Sequence, residues 1–186
     1  MSIKNTTQDW GSLARLLHWS SALLIIATAI IGLTMEDIDV PTVYKLHKSL
    51  GLTVLLLVAA RLIWRLLDRR PAYPSSMPTL QRRVSDLAHL ALYVSMIALP
   101  VSGWIMNSAG KRPLPLEWFG LFPVPPISGP NPDLRHLAHE VHEVGFYIAA
   151  ALLAVHVLAA LKHHFVDRDH TLAGMTPGVS PLPPKE

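Results

Sequence analysis

Four apolar runs, each broken by little more than a histidine or a small polar residue, organise this 186-residue chain. They extend from Leu16 to Met35, Tyr44 to Leu67, Val84 to Met106 and Leu137 to Leu161. Each reaches the roughly 20 residues that a helix needs to cross a hydrocarbon core of about 30 Å. The pattern predicts a single all-α membrane domain, a four-transmembrane-helix bundle with spans at about 13–36, 43–67, 84–107 and 137–164. Pro100 inside the third run is expected to kink it. Short polar stretches separate the runs, except for the connection from Asn107 to about Leu134. That one carries seven prolines and the aromatic residues Trp118, Phe119 and Phe122. It is too long and apolar for a spacer and is expected to lie on the membrane interface. Residues 1–12 are expected to be disordered or interfacial, and the polar tail from Lys162 is expected to end in a flexible Pro-rich segment.

Composition agrees with a membrane protein. The chain is 51% hydrophobic and 16% charged, against about 25% charged in soluble domains. The absence of cysteine excludes disulfides, covalently attached c-type haem and thiolate-held iron–sulfur or zinc sites. A pI near 9.4 raises the question of nucleic acid, but the basic residues flank the apolar runs, where membrane topology explains them. Eleven of them (Lys4, Arg15, Arg61, Arg65, Arg69, Arg70, Arg82, Arg83, Lys162, Arg168 and Lys185) lie with the two termini and the second connection. Five (Lys45, Lys48, Lys111, Arg112 and Arg135) lie with the other two connections. Positive residues stay in the cytoplasm, so both termini are expected to be cytoplasmic.

That topology gives each of the candidate histidines a depth. His18 and His156 fall near the cytoplasmic ends of the first and fourth spans, His47 and His142 near the outer ends of the second and fourth. His142 and His156 are 14 residues apart, which is 40° short of four full helical turns. Their side chains therefore share a stripe and stand about 21 Å apart along one helix. Two depth-matched pairs, each joining different helices, suit the two axial imidazoles of a b-type haem. A zinc site would instead gather three or four ligands at one depth. Gly32 and Gly103, on stripes fourteen residues after His18 and His89, leave room for a porphyrin edge or reflect the ordinary glycine content of membrane helices. Arg61 either pairs with a haem propionate or snorkels to lipid phosphate. His89 is a pocket residue or a rival axial ligand. His136 and His139 point off the stripe and read as interfacial.

The residues that carry this reading also carry a resemblance. His18-Trp19, the LHKSLG of the second span, the AHLALY and IALPVSG of the third, and the HE, VH and ALKHHFVDRD of the fourth resemble the bacterial cytochrome b561 family over about residues 10–177. The resemblance implies a dihaem b-type cytochrome of the bacterial inner membrane, of the superoxide oxidase type, which passes electrons from superoxide to ubiquinone. By the same resemblance His18, His156, His47 and His142 are the axial ligands, and His163 matches a position associated with quinone. Arg15 and His164 are nearby candidates for the quinone site; the alternative for the His163–His164 pair is contact with lipid phosphate. The Pro-rich connection 107–135 is longer than the family pattern.

Superoxide needs a positive approach, and Lys45, Lys48, Lys111, Arg112 and Arg135 are the candidates for steering it. Seven acidic residues share that side, so steering requires the charges to be segregated locally. A second reading makes the chain an electron-transfer subunit between a dehydrogenase or periplasmic cytochrome and the quinone pool, docked through the Pro-rich connection. A metal transporter is a third. The expected surroundings are the lipid bilayer, a quinone, and superoxide or a periplasmic redox protein, with a homodimer admissible and no nucleic acid.

Overall fold

A computed structural model describes residues 2–7, 9–74, 77–111, 115–180 and 182–183; Arg112 and Lys185 lie outside them. Four helices long and apolar enough to cross a membrane make the protein an all-α, four-transmembrane-helix protein. They are α1 (Ser12–Ile38), α2 (Pro41–Leu67), α3 (Thr79–Ser108) and α4 (Pro132–Lys162). At about 1.5 Å per residue even the shortest is about 40 Å long, more than the hydrocarbon core requires.

The helices overrun the apolar runs because polar residues at their ends are good helix terminators and starters. Asp39 takes a left-handed φ of 47° and gives its N–H to the Met35 carbonyl at 3.0 Å, closing α1. Pro41 then opens α2 where its missing N–H costs nothing. The start of α4 is set by Asn131, whose Oδ1 accepts from the Leu134 N–H at 3.0 Å. Pro132 follows in the first turn with Asp133, whose charge suits the positive end of the helix dipole. α4 therefore begins five residues before the apolar pattern does. Its first turns carry His136 and His139, each 3.9 Å from the glutamate one turn on, Glu140 and Glu143. α3 runs unbroken through Pro100.

Large apolar side chains stay on the outside of all four helices: Leu23 is 67% exposed, Leu66 85% and Val155 61%. In a bilayer these faces meet lipid. Many of the buried helix positions are small instead, among them Ser21, Ser49, Ser102, Ser108 and Ala138, as close helix packing in membranes demands.

Contacts divide the chain into two compact units, one of residues 20–59 and 93–149, the other of residues 1–19, 60–92 and 150–186. In the first, the Pro-rich connection folds into a short hairpin, β1 (Glu117–Trp118) with β2 (Phe122–Pro123), antiparallel. Its turn has positive φ at both central positions, 51° at Phe119 and 72° at Gly120, the geometry that fits a hairpin's twist. Ser49 of α2 pins it. Its hydroxyl lies 3.1 Å from the Glu117 carbonyl and accepts from the Phe119 N–H at 3.0 Å. Trp118 Nε1 donates to Thr53 at 3.0 Å, and Trp104 Nε1 to the Pro125 carbonyl at 3.0 Å.

The second unit ties down both chain ends. Asn5 is buried and makes three hydrogen bonds: N–H to Asp68 Oδ2 at 2.8 Å, Nδ2 to the Arg69 carbonyl at 2.8 Å, and Oδ1 from the Gly11 N–H at 2.7 Å. The segment expected to be disordered or interfacial is thus folded, because one residue, through its backbone N–H and its side-chain amide, satisfies three backbone or carboxylate partners. The tail beyond α4 is folded too. A π-helical turn (His163–Asp167) leads to the short α5 (Thr171–Met175). Trp19 Nε1 donates to the Met175 carbonyl at 3.0 Å, and His170 donates to Asp9 at 2.7 Å.

Candidate functional site

Within the unit of residues 20–59 and 93–149, α2 and α4 bring His47 and His142 together, with ring centres 6.2 Å apart and planes at 76°. A metal held between two imidazole nitrogens, each about 2 Å away, sets the ring centres about 6 Å apart. Both rings are fixed from behind. His47 Nδ1 donates to the Thr28 carbonyl of α1 at 3.1 Å, and His142 Nδ1 to the Leu99 carbonyl of α3 at 2.9 Å. Ser102 Oγ lies 3.1 Å from the same His142 nitrogen. A proton held on Nδ1 leaves the Nε2 lone pair for a metal, the usual arrangement behind a ligating histidine. Gly32 and Gly103 stand where any side chain would intrude: a Cβ on Gly32 would lie 2.8 Å from His47 Cε1, and one on Gly103 3.2 Å from His142 Cε1. The two glycines thus clear the imidazoles themselves.

Within the other unit, His18 of α1 and His156 of α4 stand 6.3 Å apart between ring centres, planes at 57°, again a spacing that suits two ligands of one metal. Arg61 reaches in from α2, its Nη2 donating to His18 Nδ1 at 2.8 Å; it is turned to the imidazole rather than out toward phosphate. His89 of α3 is 5.4 Å from His156 at 81°, closer than opposed ligands would sit, and its Nδ1 donates to the Ser85 carbonyl at 2.7 Å. The donor set at each pair, two imidazoles without thiolate or carboxylate, fits a haem iron.

His163 faces a different space. The wide π turn carries it to the end of α4, and Arg168 then takes a left-handed φ of 55°. That reversal returns Asp169 to the ring, so that His163 Nδ1 donates to Asp169 Oδ2 at 2.6 Å, with Asp167 Oδ2 at 3.3 Å. Thr171 N–H donates to the other Asp169 oxygen at 2.8 Å. Burial pushes the Asp169 carboxyl up, but the Thr171 and His163 hydrogen bonds outweigh it and hold the group below the usual carboxylate range. Gln81 Nε2 lies 3.2 Å from His163 Nε2. Met77, Pro78, Gln81, His163, Asp167 and Asp169 line a cavity of about 360 Å³.

Other candidates lie elsewhere. Arg15 lines a separate cavity of about 230 Å³ with Lys4, Asp9 and Trp10; its Nε is buried without a hydrogen-bond partner among the described residues. His164 is buried against the Phe165 ring, 4.8 Å between centres, and does not line the His163 cavity. Of the candidate steering cations, Lys45 is 3.9 Å from Glu117 and Lys48 donates to Asn107 Oδ1 at 2.7 Å. Lys111 is exposed, as is Arg135 on α4, and Arg112 lies outside the described residues. Sequence reasoning missed Thr28, Ser102, Gln81 and Asp169. The VDRD that holds Asp169 is visible in the sequence, but nothing in its spacing announces the π turn and the left-handed residue that fold it back.

Comparison with known proteins adds to this geometry. A family model for prokaryotic cytochrome b561 matches residues 9–178. The chain is 29% identical over 180 residues to cytochrome b561 homolog 2 of Escherichia coli K12, covering 94% of this chain and 95% of the relative. Homolog 1 of the same organism is 34% identical over 133 residues, 70% of this chain and 73% of the relative. A probable superoxide oxidase CybB of Yersinia pestis is 30% identical over 171 residues, 87% and 92%.

Proposed function

We propose a specific electron path for this chain, which belongs to the prokaryotic cytochrome b561 family. Membership makes it a multi-pass protein of the bacterial inner membrane that transfers electrons with b-type haem. In our reading it holds two haems, one between His47 and His142 and one between His18 and His156. The observation that carries this is the pair of imidazole separations, 6.2 and 6.3 Å, each on helices of spanning length. Bound there, a b haem supplies one-electron transfer. The protein's part is to hold the imidazoles, clear space at Gly32 and Gly103, and present Arg61 to a propionate.

Superoxide is the proposed donor and ubiquinone the proposed acceptor, with both termini in the cytoplasm and the connection 109–131 outside. Two superoxide ions are oxidised to dioxygen while one quinone takes two electrons and two protons. The relative named a probable superoxide oxidase supports the donor, and the cavity at His163 supports a quinone headgroup. A partner-fed reading draws on the hairpin, whose Phe119, Leu121 and Phe122 are 45%, 71% and 53% exposed and offer an apolar docking tip. Purified protein in nanodiscs decides. We expect two haems per chain, and superoxide consumed at twice the rate of ubiquinol formation. Haems that stay oxidised in superoxide but are reduced by a membrane extract favour the docked subunit. A single haem per chain sinks the two-site reading.

A further inference from the structure

We propose that the cavity between the N-terminal segment and the first turn of α1 binds a phosphate group, and that the group belongs to the headgroup of an anionic phospholipid. The cavity measures about 230 Å³ and has two cations in its wall, Lys4 and Arg15, with the hydroxyls of Ser2 and Thr6. Arg15 is the unusual member. Its Nε is buried without a hydrogen-bond partner, and none of the described residues pairs with the rest of its guanidinium. Other arginines of the same unit are engaged: Arg70 on Asp86 at 3.2 Å, Arg82 on the Met77 and Pro74 carbonyls at 2.9 and 3.2 Å. A guanidinium carries five donors and no acceptor, and a buried donor left unmade is costly. Arg15 is therefore a cation held ready for an acceptor that enters the cavity.

The fold brings the second cation to it. The Ser12 N–H donates to the Ser2 carbonyl at 2.9 Å, so the segment doubles back onto the start of α1, and Asn5 anchors its middle to Asp68 and Arg69. The two strands of this loop touch at Gly11. A Cβ there would meet the Ile3 carbonyl oxygen and lie 2.6 Å from the Lys4 carbonyl carbon. Glycine alone admits so close a backbone, and the approach sets Lys4 over the cavity that Arg15 lines. One carboxylate, Asp9, opposes the two cations, and its Oδ1 already accepts from His170 at 2.7 Å. The balance of charge in the cavity favours an anion.

Phosphate suits the donors. An arginine fork takes two of its oxygens at once, and lysine adds a point charge. The surroundings favour a lipid as its source. Arg15 lies in the first turn of a helix of spanning length. Its neighbour Leu16 is 63% exposed, and Ile3 on the folded segment 65%. Trp19, four residues on, shares the Arg15 face, stands about 6 Å further along the helix and is 39% exposed. An indole there sits at the usual depth of a membrane interface. An acyl chain laid along Leu16 and Trp19 leaves its phosphate at Arg15 and Lys4. A zwitterionic headgroup would bring its own ammonium against these two cations; phosphatidylglycerol brings none.

The test is native mass spectrometry of the haem-loaded full chain in detergent, titrated separately with dioleoylphosphatidylglycerol, dioleoylphosphatidylcholine and inorganic phosphate. We expect wild type to bind its first phosphatidylglycerol at least about 10-fold more tightly than its first phosphatidylcholine, since each cation near an anionic headgroup is worth about 5-fold. Arg15→Gln should lose most of that preference and Arg15→Lys should keep part of it. Lys4→Gln, on an exposed side chain whose loss leaves the fold intact, should lose about 3- to 5-fold. Gly11→Ala should weaken the preference with both cations still present. Arg83→Gln makes the same charge change at an exposed position of α3 and should leave the preference as in wild type. A preference equal in wild type, Arg15→Gln and Lys4→Gln overturns the lipid assignment. Inorganic phosphate that binds wild type but not Arg15→Gln, without any preference for phosphatidylglycerol, supports the phosphate site and overturns the lipid as its source. Binding of neither anion overturns the site. Loss of haem from Arg15→Gln with the phosphatidylglycerol preference intact overturns it too, and gives the guanidinium to a haem propionate.

Discussion

Replacing Gly32 by alanine tests the His47–His142 site with the smallest change available. The added Cβ would lie 2.8 Å from His47 Cε1 and 3.1 Å from its Nδ1. Carbon atoms in comfortable contact sit about 3.5–4.0 Å apart, so the ring must retreat by about 0.7 Å or more. It cannot retreat freely, because Nδ1 is held by the Thr28 carbonyl at 3.1 Å. Overpacking of this kind costs about 1–3 kcal/mol. Losing the imidazole's outer hydrogen bond typically lowers metal affinity by about 10- to 100-fold. At about 1.4 kcal/mol per factor of ten the two ranges agree. Gly103→Ala, whose Cβ would be 3.2 Å from His142 Cε1, should do the same more mildly. Gly51→Ala, with nothing within 4 Å, is the control, since a helical Gly→Ala change gains up to about 1 kcal/mol of propensity. Haem per chain by pyridine haemochrome, with the reduced-minus-oxidised spectrum, should fall in the order Gly51→Ala, Gly103→Ala, Gly32→Ala. Only one haem population should be lost. Equal haem content in Gly32→Ala and Gly51→Ala would refute the claim that these glycines make room at the ligands.

His142→Ala should lose one spectral haem and His156→Ala the other; a variant that keeps both, or loses both at once, contradicts the pairing. Haem dimethyl ester, whose propionates are masked, should load the His47–His142 site and leave the His18–His156 site empty on reconstitution; filling of both would remove Arg61 from the argument. Because the Asp169 carboxyl is held below the usual carboxylate range in the folded chain, its contribution to the tail is complete above the unfolded value of about pH 4 and is lost as pH falls through the lower folded value. Amide exchange over residues 163–171 should therefore accelerate as pH falls below about 4 in wild type and be already fast, with a flatter pH response, in Asp169→Asn.

The four spans and the four histidines were legible because both are periodic: apolar length sets a helix across a membrane, and fourteen residues return a side chain to nearly the same face. What escaped the sequence is what depends on a hydrogen bond between distant segments. Asn5 looks like any polar terminal residue until Asp68 and Arg69 come beside it. The Pro-rich connection reads as irregular until Ser49 and Thr53 of α2 hold a hairpin in it. Arg15 was placed near a quinone on proximity along the chain, yet it lines the cavity of Lys4, Asp9 and Trp10 rather than that of His163. Residue type and spacing predict which groups stand at one depth; they do not predict which way a turn returns a carboxylate.

The two imidazole pairs look alike in spacing and differ in chemistry, and Arg61 makes the difference. A neutral imidazole that binds iron through Nε2 keeps its proton on Nδ1. His47 and His142 already do so, giving that proton to the Thr28 and Leu99 carbonyls. Their lone pairs are set before any metal arrives. At His18 the guanidinium of Arg61 donates to Nδ1, and arginine only donates. The imidazole proton is then on Nε2, the atom that iron would need. On the two-haem reading His18 would become a ligand once Arg61 left Nδ1, and a charged guanidinium inside a membrane span needs another acceptor to leave for. A bare metal ion offers none and repels it. A porphyrin carrying propionates brings carboxylates, which accept from arginine in charge-assisted pairs stronger than its bond to a neutral ring. On the two-haem reading, the His47–His142 pair would hold its haem through the two imidazoles alone. On that reading the His18–His156 pair would need an acid group for Arg61 as well as an iron for its imidazoles, so we expect it to take haem in preference to a bare metal ion.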